Sequence, residues 1–310
     1  MDILGGRIMK AIVTGATGAV GMALLAELEK NGVQTLVLCR RGSGRNDRIV
    51  ESACIKKAEC SLSELESFEP DGRYDVFYHL AWGGTTGAAR NDMKLQNDNV
   101  RYALDALELA ERAGCKTFVG VGSQAEYGRV EGKLSPDTPT FPENGYGIAK
   151  LCAGRMCAVS AKEKGIRFVW ARILSVYGPF DTENSMVMST VKKLVSGERP
   201  HFTAGEQIWD YLYSEDAARA LYLLGVSPDA KGVYCLGGGE GRPLREYIEA
   251  IGRATDETAE LGIGDIQYAE GQVMYLCADI EKLRRDTGFE PETTFEAGIE
   301  KTVKWYKKKF

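Results

Sequence analysis

The stretch TGATGAVG at Thr14–Gly21 follows an apolar run, Lys10–Thr14, and opens a segment with helical periodicity. This order of strand, glycine turn and helix restricts the chain to folds in which a backbone loop meets a helix N-terminus at the end of a strand. Gly15 allows the tight turn, Gly18 lets a pyrophosphate approach the backbone, and Gly21 lets helix and strand pack closely. Thr17, Ala19 and Val20 fill the positions between. The spacing is glycine, two residues, glycine, two residues, glycine, and its context points to a dinucleotide site.

Further strand-like runs recur at Thr35–Cys39, Val76–Leu80, Thr117–Val121, Phe168–Ile173 and Gly232–Leu236, with amphipathic segments between them. Such alternation predicts an α/β fold: a doubly wound parallel sheet of the Rossmann type. Helices are expected over Ala19–Gly32, Asn97–Gly114 and Gly145–Lys164, each stopped at a glycine. After Ile173 the rhythm breaks into loops and shorter helices at Ser185–Ser196, Glu215–Leu224, Pro243–Thr255 and within Ile280–Phe310. The reading is a dinucleotide-binding domain over 1–174, with 209–238 returning to it, and a smaller mixed substrate lobe over 175–208 and 239–310. Met1–Arg7 reads as a loose leader.

Tyr146 and Lys150 stand four residues apart in NGYGIAK and share a helix face. A phenol exchanges protons poorly at neutral pH, and an adjacent ammonium favours its ionised form. The pair therefore predicts acid–base chemistry coupled to hydride transfer. The end of the second strand selects the dinucleotide. An NAD site places a carboxylate there, and this chain has Cys39, Arg40 and Arg41, which favours NADP, with NAD as the alternative.

A net charge of −5 over 310 residues gives no broad basic field, so nucleic acid is not an expected partner. No apolar run is long enough to span a bilayer, and no basic-then-apolar secretory pattern opens the chain, so a cytoplasmic protein with no membrane partner is expected. Eight scattered cysteines read as reduced thiols, and two histidines without zinc spacing give no expected metal.

TGATGAVG, HLAW at His79–Trp82, Ser123 before AEYG, Tyr146 with Lys150, ARILSVYGP, Asp210–Leu221 and Asp279–Tyr306 together resemble the extended short-chain dehydrogenase/reductases. These are nucleotide-sugar epimerases, dehydratases and 4-ketoreductases, and the likeness covers almost the whole chain. The resemblance implies that Ser123, Tyr146 and Lys150 are the catalytic serine, tyrosine and lysine. Ser123 would bond the substrate oxygen, and Lys150 would tune the phenol and hold the nicotinamide ribose. It also implies that Leu80, Ala81, Trp82, Asn99, Tyr146 and Lys150 line the cofactor, and that relatives pair as homodimers through two core helices. His79 reads as a strand-end packing residue.

Departures from the family pattern narrow the reaction. Dehydratases carry an Asp-Glu pair after the catalytic Ser/Thr, where this chain has Gln124 and Ala125, and Glu126 is displaced by one. Epimerase-reductases place a Cys at the position of Ala125. What remains is redox chemistry at C4 of a nucleotide-linked sugar. NADPH-dependent reduction of a 4-keto-(6-deoxy)hexose leads; an NAD-dependent 4-epimerase and a non-catalytic NADP-binding sensor are the alternatives. In the substrate lobe Ser175 replaces a family Asn and Trp209 a family Arg, so the diphosphate must be neutralised differently, with Arg172, Lys192, Lys193 and Arg199 as candidates. Thr85 and Thr86, in the loop after HLAW, are placed to bond sugar hydroxyls.

Overall fold

Seven parallel strands order themselves β7-β6-β5-β4-β1-β2-β3 in the computed structural model, which describes residues 8–309. They are β1 (Lys10–Thr14), β2 (Gln34–Cys39), β3 (Ile55–Glu59), β4 (Val76–His79), β5 (Thr117–Ser123), β6 (Arg167–Ile173) and β7 (Gly232–Leu236). The register sets Val13 opposite Val37 on one side and Tyr78 on the other. The chain winds from β1 outward to β3, then returns across β1 to β4. The crevice between the C-terminal ends of β1 and β4 is therefore the switch point at which open α/β sheets bind ligands. Met1–Arg7, read as a leader, lies outside the described residues.

Strand β3, sequence IKKAE, was not among the expected strands. It pairs only with β2, at the sheet edge, and its two lysines suit an edge that must resist pairing with another chain. An edge strand buries too little to need an apolar run.

Helix α1 (Ala19–Lys30) packs with α5 (Ser214–Val226) on one face, where Leu24, Leu28, Leu221 and Leu224 are fully buried. The opposite face is covered by α2 (Met93–Arg112) and α3 (Gly145–Glu163). Helix α2 begins four residues before the expected Asn97 because the Asp92 side chain accepts the Leu95 amide at 3.1 Å and caps it. Asn144 caps α3 by accepting the Gly147 amide at 2.9 Å, which fixes the helical phase of Tyr146.

A third core joins α4 (Met186–Val195), α6 (Leu244–Thr255) and α8 (Phe295–Lys309) through Val187, Val191, Ile251, Ile299 and Val303. The short helix α7 (Glu281–Thr287) packs near β7. No helix among the described residues is long and apolar enough to cross a membrane.

Candidate active site

The C-terminal ends of β1, β2 and β4 open onto a cavity of about 490 Å³, lined among others by Gly15, Thr17, Gly18, Arg40, Leu80, Ala81, Trp82 and Asn99. Gly15 has φ +76, and a Cβ there would stand 2.4 Å from the Ala81 amide nitrogen. A Cβ on Gly21 would meet the Gly15 carbonyl oxygen at 2.5 Å. These two glycines let β1, β4 and α1 converge. In front of Gly18 there is open space, and the α1 N-terminus has no side-chain cap, so its amides are available to an anion. The cradle fits a dinucleotide.

Of the two adjacent arginines, Arg40 lines the cavity, whereas Arg41 turns away to Glu59 and Glu64 at 3.6 and 3.7 Å. Arg45 joins the lining instead, and the sequence reading did not include it. No carboxylate lines this cavity among the described residues. Asn99 clamps the loop: its Oδ1 accepts the Gly83 amide and its Nδ2 donates to the Gly83 carbonyl, both at 2.9 Å. Val20 packs against the core under α1. Ala19, Thr85 and Thr86 line a second cavity, about 560 Å³, which also reaches Gly18 and Arg45.

Trp82 connects the cofactor cavity to the acid–base group. Its ring lies edge-on to Tyr146, with centroids 6.3 Å apart, and the Lys150 Nζ sits 3.8 Å from its centroid. Ser123, at the end of β5, acts on the Tyr146 phenol so as to favour its ionised form, and its own hydroxyl accepts the Ala125 amide at 3.2 Å; Tyr146 and Lys150 meet across the Trp82 ring. The expected coupling between ammonium and phenol takes a different form. Lys150 Nζ donates to the Val121 carbonyl at 2.5 Å and stands 6.0 Å from the Tyr146 ring centroid.

Burial pushes the Tyr146 phenol above its ordinary value, with Glu126 adding to the rise; the nearby Ser123 hydroxyl and the Arg90 guanidinium pull it back. Burial also pushes the Lys150 ammonium down, against the Glu126 carboxylate. Buried His79 is held neutral, at about 3, by its desolvation and by Lys150. Its Nδ1 bonds the Thr14 hydroxyl at 2.9 Å across the strand ends, in keeping with a packing role.

Glu126 is fully buried behind Ser123. One oxygen accepts the Ser123 amide at 2.8 Å and the Trp170 indole at 3.0 Å; the other accepts the Arg172 Nε at 2.7 Å. Arg172 is thus committed to this ion pair, which removes it as a diphosphate ligand. Lys192 pairs with Glu183, and Arg199 with Glu260 and Asp265. Ser175 and Trp209, the two departures in the substrate lobe, meet each other: the indole donates to the Ser175 hydroxyl at 2.8 Å.

Residues 11–237 match the NAD dependent epimerase/dehydratase family. The chain belongs to that family. It is an enzyme of the extended short-chain dehydrogenase/reductase type, and the family description identifies a nicotinamide cofactor. An uncharacterized UDP-glucose epimerase of Bacillus subtilis is 26% identical over 323 residues, covering 94% of this chain and 96% of that protein. The dTDP-glucose 4,6-dehydratase 1 of Escherichia coli K12 is 28% identical over 341 residues, covering 96% and 92%. The UDP-glucuronic acid 4-epimerase of Bacillus cereus, solved with NAD, superimposes with a TM-score of 0.84 at 21% identity, over 97% of this chain and 98% of that one. The structural likeness carries the fold, and the relatives span both epimerases and dehydratases of the family.

Proposed function

We propose that this enzyme uses NADPH to reduce a nucleotide-linked 4-keto-(6-deoxy)hexose at C4, with Tyr146 as general acid. The observation that carries the reading is the cofactor cavity, which presents Arg40 and Arg45 and no carboxylate where an NAD site would accept the ribose hydroxyls. When bound, the nicotinamide supplies the hydride. Gly15, Thr17, Gly18, Ala19, Val20 and Gly21 would hold its pyrophosphate end, Leu80, Ala81, Trp82 and Asn99 its nicotinamide side, and Lys150 its ribose.

The chain's own residues then manage the proton. A phenol raised by burial stays protonated at neutral pH, the state a proton donor needs, and Ser123 orients it toward the sugar oxygen. Dehydration is disfavoured because Gln124 and Ala125 occupy the acid–base positions and the neighbouring Glu126 is locked to Arg172. At the mouth of the cleft after β4, Thr85 and Thr86 bond the sugar, while Ser175 and Trp209 act as a pair. We divide the chain accordingly into 1–174 with 209–238, and 175–208 with 239–310; the third core, in which α4, α6 and α8 pack together, supports a smaller substrate lobe.

The epimerase relatives favour a second reading, NAD-dependent 4-epimerisation. Purified protein incubated with a 4-keto sugar nucleotide separates the two: NADPH oxidation supports reduction, and C4 inversion without net cofactor turnover supports epimerisation. Arg40→Ala together with Arg45→Ala should weaken NADPH binding roughly tenfold to a hundredfold and leave NADH binding unchanged, as loss of a charge-assisted bond to a phosphate implies. Equal losses for both cofactors, in a calorimetric titration, would remove NADP from the reading.

A homodimer through α2 and α3 is part of the same proposal. The outer side of α3 leaves Ile148, Met156 and Val159 at 52%, 46% and 63% exposure, an apolar stripe with helical spacing. Met156→Glu with Val159→Glu should convert a dimer into a monomer in light scattering coupled to size-exclusion chromatography. An unchanged mass would place the contact elsewhere. The cysteines of the described residues are all free, which suits a reducing cytoplasm.

A further inference from the structure

The nearer of two cations over the Tyr146 ring comes from a glycine-rich loop, and the other is Lys150 of α3. We propose that Arg90 is a positioning residue for Tyr146, its guanidinium adding a second positive charge over the ring beside that of Lys150. The inference rests on the reading of Tyr146 as the proton donor and adds to it a residue outside the serine, tyrosine and lysine set.

The geometry is direct. The Arg90 guanidinium carbon stands 4.7 Å from the Tyr146 ring centroid, and the Lys150 Nζ stands 6.0 Å from it. Lys150 is occupied by the Val121 carbonyl and the Trp82 face. No carboxylate pairs with Arg90 among the described residues, so its charge is not neutralised locally.

Arg90 is also held in place from two sides. The turn Gly87–Asn91 is fastened to α2, where Gln96 Nε2 donates to the carbonyls of Gly84 and Ala89 at 3.0 and 2.9 Å. It is fastened to α3 by the Gly145 amide, which donates to Asn91 Oδ1 at 3.0 Å.

The charge does chemical work when the Tyr146 O–H bond breaks and the proton moves to the sugar oxygen. A phenolate then forms in a buried site, and an opposite charge at this range favours it over the phenol. Other charged or titratable groups that face the phenol give the same sign or are compensated. Glu126, on the turn after β5, opposes, but its charge is shared with Arg172 of β6. Lys150 of α3 lies farther from the ring, and His79 at the end of β4 is neutral.

Ultraviolet titration of the phenolate, taken as the difference between the protein and its Tyr146→Phe variant, reads this residue without any substrate. In an Arg90→Gln background the midpoint should rise by about one pH unit, because an opposite charge within 4–6 Å shifts a pKa by about one unit or more. Arg90→Lys should hold it near the starting value. An unmoved midpoint in Arg90→Gln overturns the inference. The two levels fail separately: turnover surviving in Tyr146→Phe defeats the proton-donor reading, whereas an inactive Tyr146→Phe with an unmoved Arg90→Gln midpoint defeats only the role of Arg90.

Discussion

Replacing Tyr146 with Phe should lower kcat by about 10²–10⁴-fold, the range over which a positioned general acid contributes, while cofactor affinity stays unchanged. The substitution removes one oxygen and keeps the ring that meets Trp82 edge-on and lies beneath Arg90. The fold should therefore be retained, and a melting temperature close to the parent's would show that the lost turnover is chemical. The cofactor cavity has Trp82 but not Tyr146 in its lining, so fluorescence titration with NADPH should give the same dissociation constant for both proteins. Turnover near the parent value would dismiss the phenol from the reaction, and a parallel loss of NADPH binding would assign Tyr146 to the cofactor site instead.

The parts of this molecule that were legible in the sequence are those fixed by local rules. The glycine turn, six of the seven main-sheet strands and the placement of Tyr146 one turn before Lys150 follow from backbone sterics and periodicity, which a short window contains. Strand β3 escaped because an edge strand with IKKAE buries one side only weakly. The start of α2 was misplaced because Asp92, and not the first periodic residue, caps it.

The site was less legible, for a different reason. Arg40 and Arg41 are equivalent as letters, and only the positions of Glu59 and Glu64, 18 and more residues away, divide one toward the cavity and the other to the surface. Arg45 and Arg90 lie in glycine-rich turns with no periodicity to announce a direction. Arg172 reads in the sequence as a candidate diphosphate ligand, and β6 instead packs it against Glu126, 46 residues earlier. Charge roles depend on partners distant in sequence, and no spacing rule supplies these.

The same buried pair carries the largest expected stability effect. Glu126→Gln should destabilise the protein by about 3–5 kcal/mol, because it leaves the Arg172 guanidinium as an unpaired buried charge. Glutamine preserves an oxygen to accept the Ser123 amide and the Trp170 indole, so the loss would report the charge and not those two bonds. The double variant Glu126→Gln with Arg172→Met removes the orphaned charge and should recover most of the loss, since a buried pair replaced as a unit costs far less than one broken. Denaturant unfolding monitored by tryptophan fluorescence measures both. A double variant no more stable than the single one would mean that the destabilisation comes from packing around Trp170, and the ion pair would then have no special part in holding the end of β5 where Ser123 meets the phenol.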